Sequence, residues 1–209
     1  MSGMTRAVFL DRDGVLIEDR QPLRSSADIV PLPGVARALR RLKKAGFALV
    51  VVSNQTVVAR GLLSTDDVCA LQGEVEARLR SAGAPPLDGF YFCPHHPAAT
   101  LPAFRQNCAC RKPASGLLLE ARAALGIDLA GSYMIGDRPS DVLAGQRAGC
   151  RSIQLLTGRH LDPPIEVEGG FAPTVPDFCC ATLADAADLI MAVPSMARPP
   201  TATRAGARA

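Results

Sequence analysis

The chain has 209 residues, of which 48% are hydrophobic and 21% charged. That is enough for one domain with a full core. Its net charge of +3 gives no electrostatic case for a polyanion partner, because Arg198, Arg204 and Arg208 lie in an acid-free final stretch and the remainder is neutral. Trp is absent and aromatics are scarce, leaving little on which nucleobases could stack.

In chain order, Met1 to Arg6 is polar, and the apolar run behind it is too short for a signal peptide. No stretch reaches membrane-spanning length, so a cytoplasmic protein is expected. "AVFL" (Ala7–Leu10) predicts a buried strand, and Asp11 and Asp13 follow it directly. Pro33-Gly34 opens a helix whose Val35, Leu39 and Leu42 recur at helical spacing, and Gly46 ends it. "FALVVVSN" (Phe47–Asn54) is a continuous apolar strand of the kind covered on both faces. Ser64 and Asp67 form a capping box opening a helix to about Ala82.

"GFYFC" (Gly89–Cys93) predicts a third strand, and Pro113 to Leu125 a helix. "SYMIGD" (Ser132–Asp137), a helix from Ser140 to Ala148, and "RSIQLL" (Arg151–Leu156) continue the alternation. A Pro/Gly-rich loop leads to a short strand near Phe178–Ala181 and a last helix capped by Thr182 and Asp185. The domain is expected over residues 1–193. Residues 194–209, rich in Pro, Ala, Thr and Arg, predict a disordered tail.

This alternation predicts an α/β fold with a doubly wound, Rossmann-like parallel sheet. In such sheets ligands bind beyond the carboxyl ends of the strands. Asp11 and Asp13, Ser53 and Asn54, and Asp137 all belong at that rim, and Arg111-Lys112 can reach it. Three carboxylates make an oxygen-rich site for a hard cation, and Mg²⁺ suits them. Ser53 and Lys112 would cradle a phosphoryl group whose charge spreads over three oxygens. Asp11 is the better placed nucleophile for an aspartyl phosphate. Asp13 would protonate the leaving alkoxide and then deprotonate water. Alone, an Asp-x-Asp is commonly a turn or cap, a Ser-Asn turn chemistry, and an Arg-Lys pair surface charge. The functional reading rests on all of them falling at strand ends in this order.

Seven cysteines in a cytoplasmic protein suggest thiols or metal ligands. Cys93, Cys108 and Cys110, with His95 or His96, form a soft tetrahedral set for Zn²⁺ with no open position, so the metal would be structural. The loop 93–110 would then aim Arg111 and Lys112 at the rim. Cys69, Cys150, Cys179 and Cys180 have no such partners and read as small hydrophobes.

"FLDRDGVL", "VVSNQ", "CRKP" and "MIGDRPSD" resemble the four ordered motifs of the haloacid dehalogenase (HAD) superfamily, and Asp13 marks its phosphatases. The resemblance implies Asp11 as nucleophile and Asp13 as general acid/base. It implies Mg²⁺ on the Asp11 carboxylate, the Asp13 carbonyl and Asp137, with Ser53 and Lys112 holding the phosphoryl group and Asp141 supporting the metal shell or Lys112. The zinc loop without a large cap resembles D-glycero-D-manno-heptose 1,7-bisphosphate 7-phosphatases. That likeness selects His95 over His96. It implies removal of the C7 phosphate from a small sugar bisphosphate, with Asp19, Arg20, Gln21, Pro22, Ser53, Asn54, Gln55 and Thr56 along the sugar and Arg111 in substrate recognition. The chain departs from the family's usual residues at Ser53 (commonly Thr), at Thr56-Val57-Val58 (commonly Ser-Gly-Ile) and at Arg138 (commonly Lys).

A histidinol-phosphate phosphatase is the nearest alternative, but that family typically has a shorter span between the imidazole and the next thiolate than His95 to Cys108. A zinc-dependent nucleic-acid-binding module would need a basic stripe, and only Arg105, Arg111 and Lys112 lie near the loop. No membrane or nucleic-acid partner is expected, and a monomer is.

Overall fold

The computed structural model describes residues 4–20, 23–167, 170–171 and 174–192. Gln21, Pro22 and the expected tail lie outside the described residues.

Six strands form one parallel sheet in the order β3-β2-β1-β4-β5-β8. They are β1 (Ala7–Leu10), β2 (Ala48–Asn54), β3 (Gly89–Cys93), β4 (Tyr133–Gly136), β5 (Arg151–Leu155) and β8 (Phe178–Cys180). A separate antiparallel pair, β6 (Glu166–Val167) and β7 (Gly170–Phe171), lies between β5 and β8 in the chain. β1 is central, with Leu10 in register with Val51 on one side and Ile135 on the other. From β1 the chain winds outward to β2 and β3, then returns to the other side of β1 with β4. The strand order reverses between β1 and β4, which opens a crevice beyond their carboxyl ends.

The alternation of side chains divides the core in two. Val8, Leu10, Leu49, Val51, Ile135 and Ile153 face α1 (Val35–Lys44), α3 (Thr65–Ser81) and α6 (Leu183–Ala192). Phe9, Val50, Val52 and Met134 face α4 (Gly116–Leu125) and α5 (Pro139–Ala148). Both faces of β2 are therefore dry, which is why its sequence is continuously apolar. Helix starts follow local chemistry. The Ser64 and Asp67 side chains cap α3 reciprocally, and Thr182 with Asp185 opens α6. Among the described residues no second domain covers the sheet's carboxyl rim.

Several elements differ from the sequence expectation, the β6–β7 pair inside the expected Pro/Gly-rich loop among them. α4 begins at Gly116 rather than Pro113. The Ala114 N–H bonds the Arg111 carbonyl and the Gly116 N–H bonds the Ala109 carbonyl, so residues 111–115 turn tightly before the helix can start. The short helix α2 (Thr56–Ala59), directly after β2, has no propensity signal; burial of Val57, Val58 and Ala59 holds it.

Close helix-on-strand packing makes a specific stability prediction. A Cβ at Gly145 in α5 would lie 2.5 Å from Met134 Cβ, whereas one at Gly73 in α3 meets nothing within 4 Å. Gly145→Ala should destabilise by about 1–3 kcal/mol from overpacking, despite a helix-propensity gain of about 1 kcal/mol. Gly73→Ala should be neutral or stabilising by up to about 1 kcal/mol. Urea unfolding midpoints of the two variants test the contrast.

Candidate active site

The end of β1 turns sharply. Gly14 adopts φ +84°, its N–H bonds the Ile17 carbonyl, and the Arg12 carbonyl accepts from Leu16. The turn leaves Asp11 and Asp13 buried at the rim, 6% and 5% exposed. Asp137 follows β4, and Asp141 sits in the first turn of α5; they are 0% and 1% exposed. Asp11, Asp137 and Asp141 each present a carboxylate oxygen, all within 4.8 Å of one another.

One ammonium faces this cluster. Lys112 Nζ lies 3.0 Å from Asp11 Oδ1 and 2.6 Å from Asp141 Oδ1, and donates to the Val52 carbonyl at 2.8 Å. Burial alone would lower its pKa, yet Asp11 and Asp141 hold it above the ordinary lysine value. The Asn54 side chain pins the Lys112 backbone from both sides, accepting from its N–H at 3.0 Å and donating to its carbonyl at 2.9 Å. A residue from the end of β2 thus fixes a cation from a distant loop.

Three buried carboxylates against one ammonium leave negative charge uncompensated. Burial first, then Asp11 and Asp141, push Asp137 up to about 7. Burial and Asp11 push Asp141 up to about 6 against the pull of Lys112. Asp137 Oδ2 accepts the Arg159 N–H at 2.6 Å, whereas its buried Oδ1 accepts no hydrogen bond among the described residues. A Cβ at Gly14 or Gly158 would come within 2.5 or 2.2 Å of Oδ2, so glycine backbone walls the carboxylate in. Such a site is built for a hard divalent cation.

Asp13 points elsewhere. Its carboxylate pairs with Arg12 Nη2 at 3.0 Å and accepts Gln55 Nε2 at 3.2 Å. Gln55 Nε2 also donates to Ser53 Oγ at 2.8 Å, and its oxygen accepts from Arg12 at 2.9 Å. This buried network joins the second acid to the hydroxyl ending β2.

A cavity of about 430 Å³ opens over these groups, lined by Asp11, Asp13, Ser53, Asn54, Thr56, Arg111 and Lys112. Of the residues expected along a substrate, Ser53, Asn54, Thr56 and Arg111 line it. Gln55 is buried beside it, and Asp19 stands back, holding Arg138 Nη2 at 3.2 Å. Arg20 is exposed and paired with Glu18 at 2.7 Å. The cavity also takes Arg138, Ser140 and the segment Asp162–Ile165, which the sequence reading did not include. Their signal was position: Asp162–Ile165 lies soon after β5, whose end belongs to the same rim.

Beside the cavity, Cys93, His95, Cys108 and Cys110 converge. The Sγ–Sγ separations are 2.9, 3.3 and 3.4 Å, and His95 Nδ1 lies 3.4 and 3.8 Å from the sulfurs of Cys110 and Cys93. These are too long for a disulfide. They approach the edge of about 3.7 Å that Zn–S bonds of about 2.3 Å set in a tetrahedron. His96 turns to its own loop, its Nδ1 accepting the Ala98 N–H at 3.0 Å. Burial, then Arg111 and Arg60, lower its pKa. Arg111 follows the cluster directly and donates to the His95 carbonyl at 3.1 Å.

To hold a divalent cation Asp137 would have to ionise, so protons would compete with the metal. With its metal-free pKa raised to about 7, apparent Mg²⁺ affinity should be flat above that pH and fall below it, approaching about tenfold per unit for one displaced proton. Mg²⁺ titrations from pH 5.5 to 8.5 check this; a pH-independent affinity would remove Asp137 from the metal site.

Comparisons with known proteins identify the family. The HAD-hydrolase-like family model matches residues 109–186. The D-glycero-beta-D-manno-heptose-1,7-bisphosphate 7-phosphatase of Yersinia pestis is 39% identical over 186 residues, covering 88% of this chain and 95% of that protein. The protein of the same name from Escherichia coli K12 is 41% identical over 167 residues, covering 79% and 87%. Among solved structures, the D,D-heptose 1,7-bisphosphate phosphatase of B. bronchiseptica, complexed with magnesium and phosphate, superposes with a TM-score of 0.73 at 30% identity, covering 89% of this chain and 98% of that one. The chain belongs to the heptose-bisphosphate phosphatase family of HAD-like hydrolases and is a phosphoric monoester hydrolase.

Proposed function

We propose that this hydrolase removes the C7 phosphate of D-glycero-β-D-manno-heptose 1,7-bisphosphate and leaves the phosphate at C1. The observation that carries the reading is Lys112, which bridges Asp11 and Asp141 beside Asp137 at the switch point between β1 and β4. The relatives' names supply the sugar.

In the first half-reaction an Asp11 carboxylate oxygen attacks phosphorus, and the bond from phosphorus to the C7 oxygen breaks. Asp13, having left Arg12, gives its proton to the departing alkoxide. Lys112 and the Ser53 hydroxyl hold the equatorial oxygens throughout, and Asp141 keeps the lysine charged and in place. In the second half-reaction Asp13 takes a proton from water, whose oxygen attacks the phosphorus of the aspartyl phosphate. The acyl phosphate bond breaks, restoring the Asp11 carboxylate and freeing orthophosphate. Mg²⁺, held by the Asp11 carboxylate, the Asp13 backbone carbonyl and Asp137, would neutralise charge between nucleophile and phosphoryl oxygens. The donor set fits it, with excess buried negative charge and a free Asp137 oxygen.

Zn²⁺ on Cys93, His95, Cys108 and Cys110 would be structural, because three thiolates and an imidazole fill a tetrahedron. It would join β3 to the segment that delivers Arg111 and Lys112. Asp19, Arg20, Gln21, Pro22, Asn54, Gln55, Thr56 and Arg111 would form or support the sugar site. No helix among the described residues is long and apolar enough to cross a membrane. We place the enzyme in the cytoplasm, acting as a monomer on a small-molecule substrate.

Phosphate release from both heptose bisphosphate anomers, histidinol phosphate and common hexose phosphates, with Mg²⁺ present, tests the substrate; equal rates on histidinol phosphate would sink it. Asp11→Asn should lower kcat at least about 10³-fold while circular dichroism is unchanged. The purified protein should hold about one zinc per chain. Cys108→Ser should lose that zinc and most activity together, and elemental analysis alongside the rate checks the link.

A further inference from the structure

Two of the buried carboxylates differ in how their oxygens are treated. Asp141 is engaged at both: Oδ1 lies 2.6 Å from Lys112 Nζ, and Oδ2 accepts the Arg138 N–H at 3.0 Å. Asp137 is engaged at one. Its Oδ2 accepts the Arg159 N–H at 2.6 Å, and its buried Oδ1 accepts no hydrogen bond among the described residues. The engaged oxygen is also walled in. A Cβ at Gly158 would come within 2.2 Å of Oδ2 and 3.1 Å of the Gly14 Cα, so the approach needs bare backbone on both sides.

The segment that does this follows β5, and one side chain fastens it. Thr157 Oγ1 donates to the Gly14 carbonyl at 2.5 Å, across 143 positions of sequence. The Gly14 N–H is bound in turn to the Ile17 carbonyl at 2.8 Å. Both peptide groups of Gly14 are therefore fixed, including the one that carries the Asp13 carbonyl. Through Thr157 the turn after β1 and the segment after β5 close on the carboxylate that ends β4.

Divalent cations differ in what they ask of such a carboxylate. Mg²⁺ takes about six ligands in near-ideal octahedral geometry, whereas Ca²⁺ takes about six to eight oxygens in flexible geometry and accepts both oxygens of one carboxylate. A carboxylate with one oxygen held and walled offers only the other. We propose that the segment Thr157–Arg159 is a metal-discriminating clamp: it restricts Asp137 to a single ligand oxygen and so favours Mg²⁺ over Ca²⁺, with Thr157 as the positioning residue that keeps it shut. The inference rests on the reading of Asp137 as a metal ligand and is independent of which sugar phosphate is hydrolysed. Thr157 acts through the Gly14 carbonyl and the Arg159 amide rather than on the reacting atoms.

Calorimetric titration of the zinc-loaded, phosphate-free enzyme with Mg²⁺ and, separately, with Ca²⁺ at pH 8.5 tests the clamp. Wild type should bind Mg²⁺ more tightly than Ca²⁺. Thr157→Val removes the hydroxyl at nearly constant volume. It should narrow the ratio of the two Kd values at least about fivefold, with circular dichroism and zinc content unchanged. Thr157→Ser keeps the donor and should hold the ratio within about twofold of wild type. Gly158→Ala, whose Cβ would drive the segment off Oδ2, should narrow it as Thr157→Val does. A wild type without preference for Mg²⁺, an unchanged ratio in Thr157→Val, or equal weakening of both ions in that variant overturns the clamp. Asp137→Asn tests the underlying reading separately. It should raise the Kd of both ions at least about tenfold, and wild-type Mg²⁺ affinity in that variant removes Asp137 from the metal site and the clamp with it.

Discussion

An imbalance of buried charge governs this molecule. Asp11, Asp137 and Asp141 meet where β1 and β4 part, and among the described residues Lys112 is the cation in ion-pair contact with them. Carboxylates repel at such separations, and a dry site magnifies the repulsion. The raised pKa values of Asp137 and Asp141 are the outcome without a further cation. The fold tolerates the arrangement because β1 and β4 are central strands, fixed by neighbours on both sides and by core on both faces. Much of the remaining structure serves to hold these four groups together.

Lys112 carries the greatest structural demand, since it belongs to no strand of the sheet. It is held by Asn54 through the backbone, by the Val52 carbonyl through the ammonium, and by the tight turn that delays α4 until Gly116. The Cys93, His95, Cys108 and Cys110 cluster ties the same segment to the end of β3. A loop of this length closed by one metal would lose most of its freedom before any substrate arrives. Position at the active rim would thereby be secured by chemistry remote from the reacting atoms.

With no second domain over the rim among the described residues, the cavity is walled by short loops. The turn after β1, the helix α2 after β2, the segment Arg111–Pro113 ahead of α4 and the segment after β5 each contribute a wall. Their charges are largely paired with one another, as in Arg138 with Asp19 and Arg159 with Asp162.

Sequence alone determined the six strands of the main sheet, most helix boundaries, the wound parallel sheet and the residues at its rim. The reason is physical: continuous apolar runs, capping boxes and a carboxylate directly past a strand are local patterns with local causes. The spacing of three cysteines and one histidine was legible in the same way, up to the choice of His95 over His96, which the family likeness made and the geometry matches. Tertiary structure decided what depends on pairs distant in the chain. It set Asp141 among the carboxylates on Lys112, paired Asp13 with Arg12 and Gln55, held α2 by burial, and drew Arg138 and Asp162–Ile165 into the cavity wall. A side chain's partner across the rim follows from how β-strands are ordered in the sheet, and strand order leaves no periodic trace in the residues that obey it.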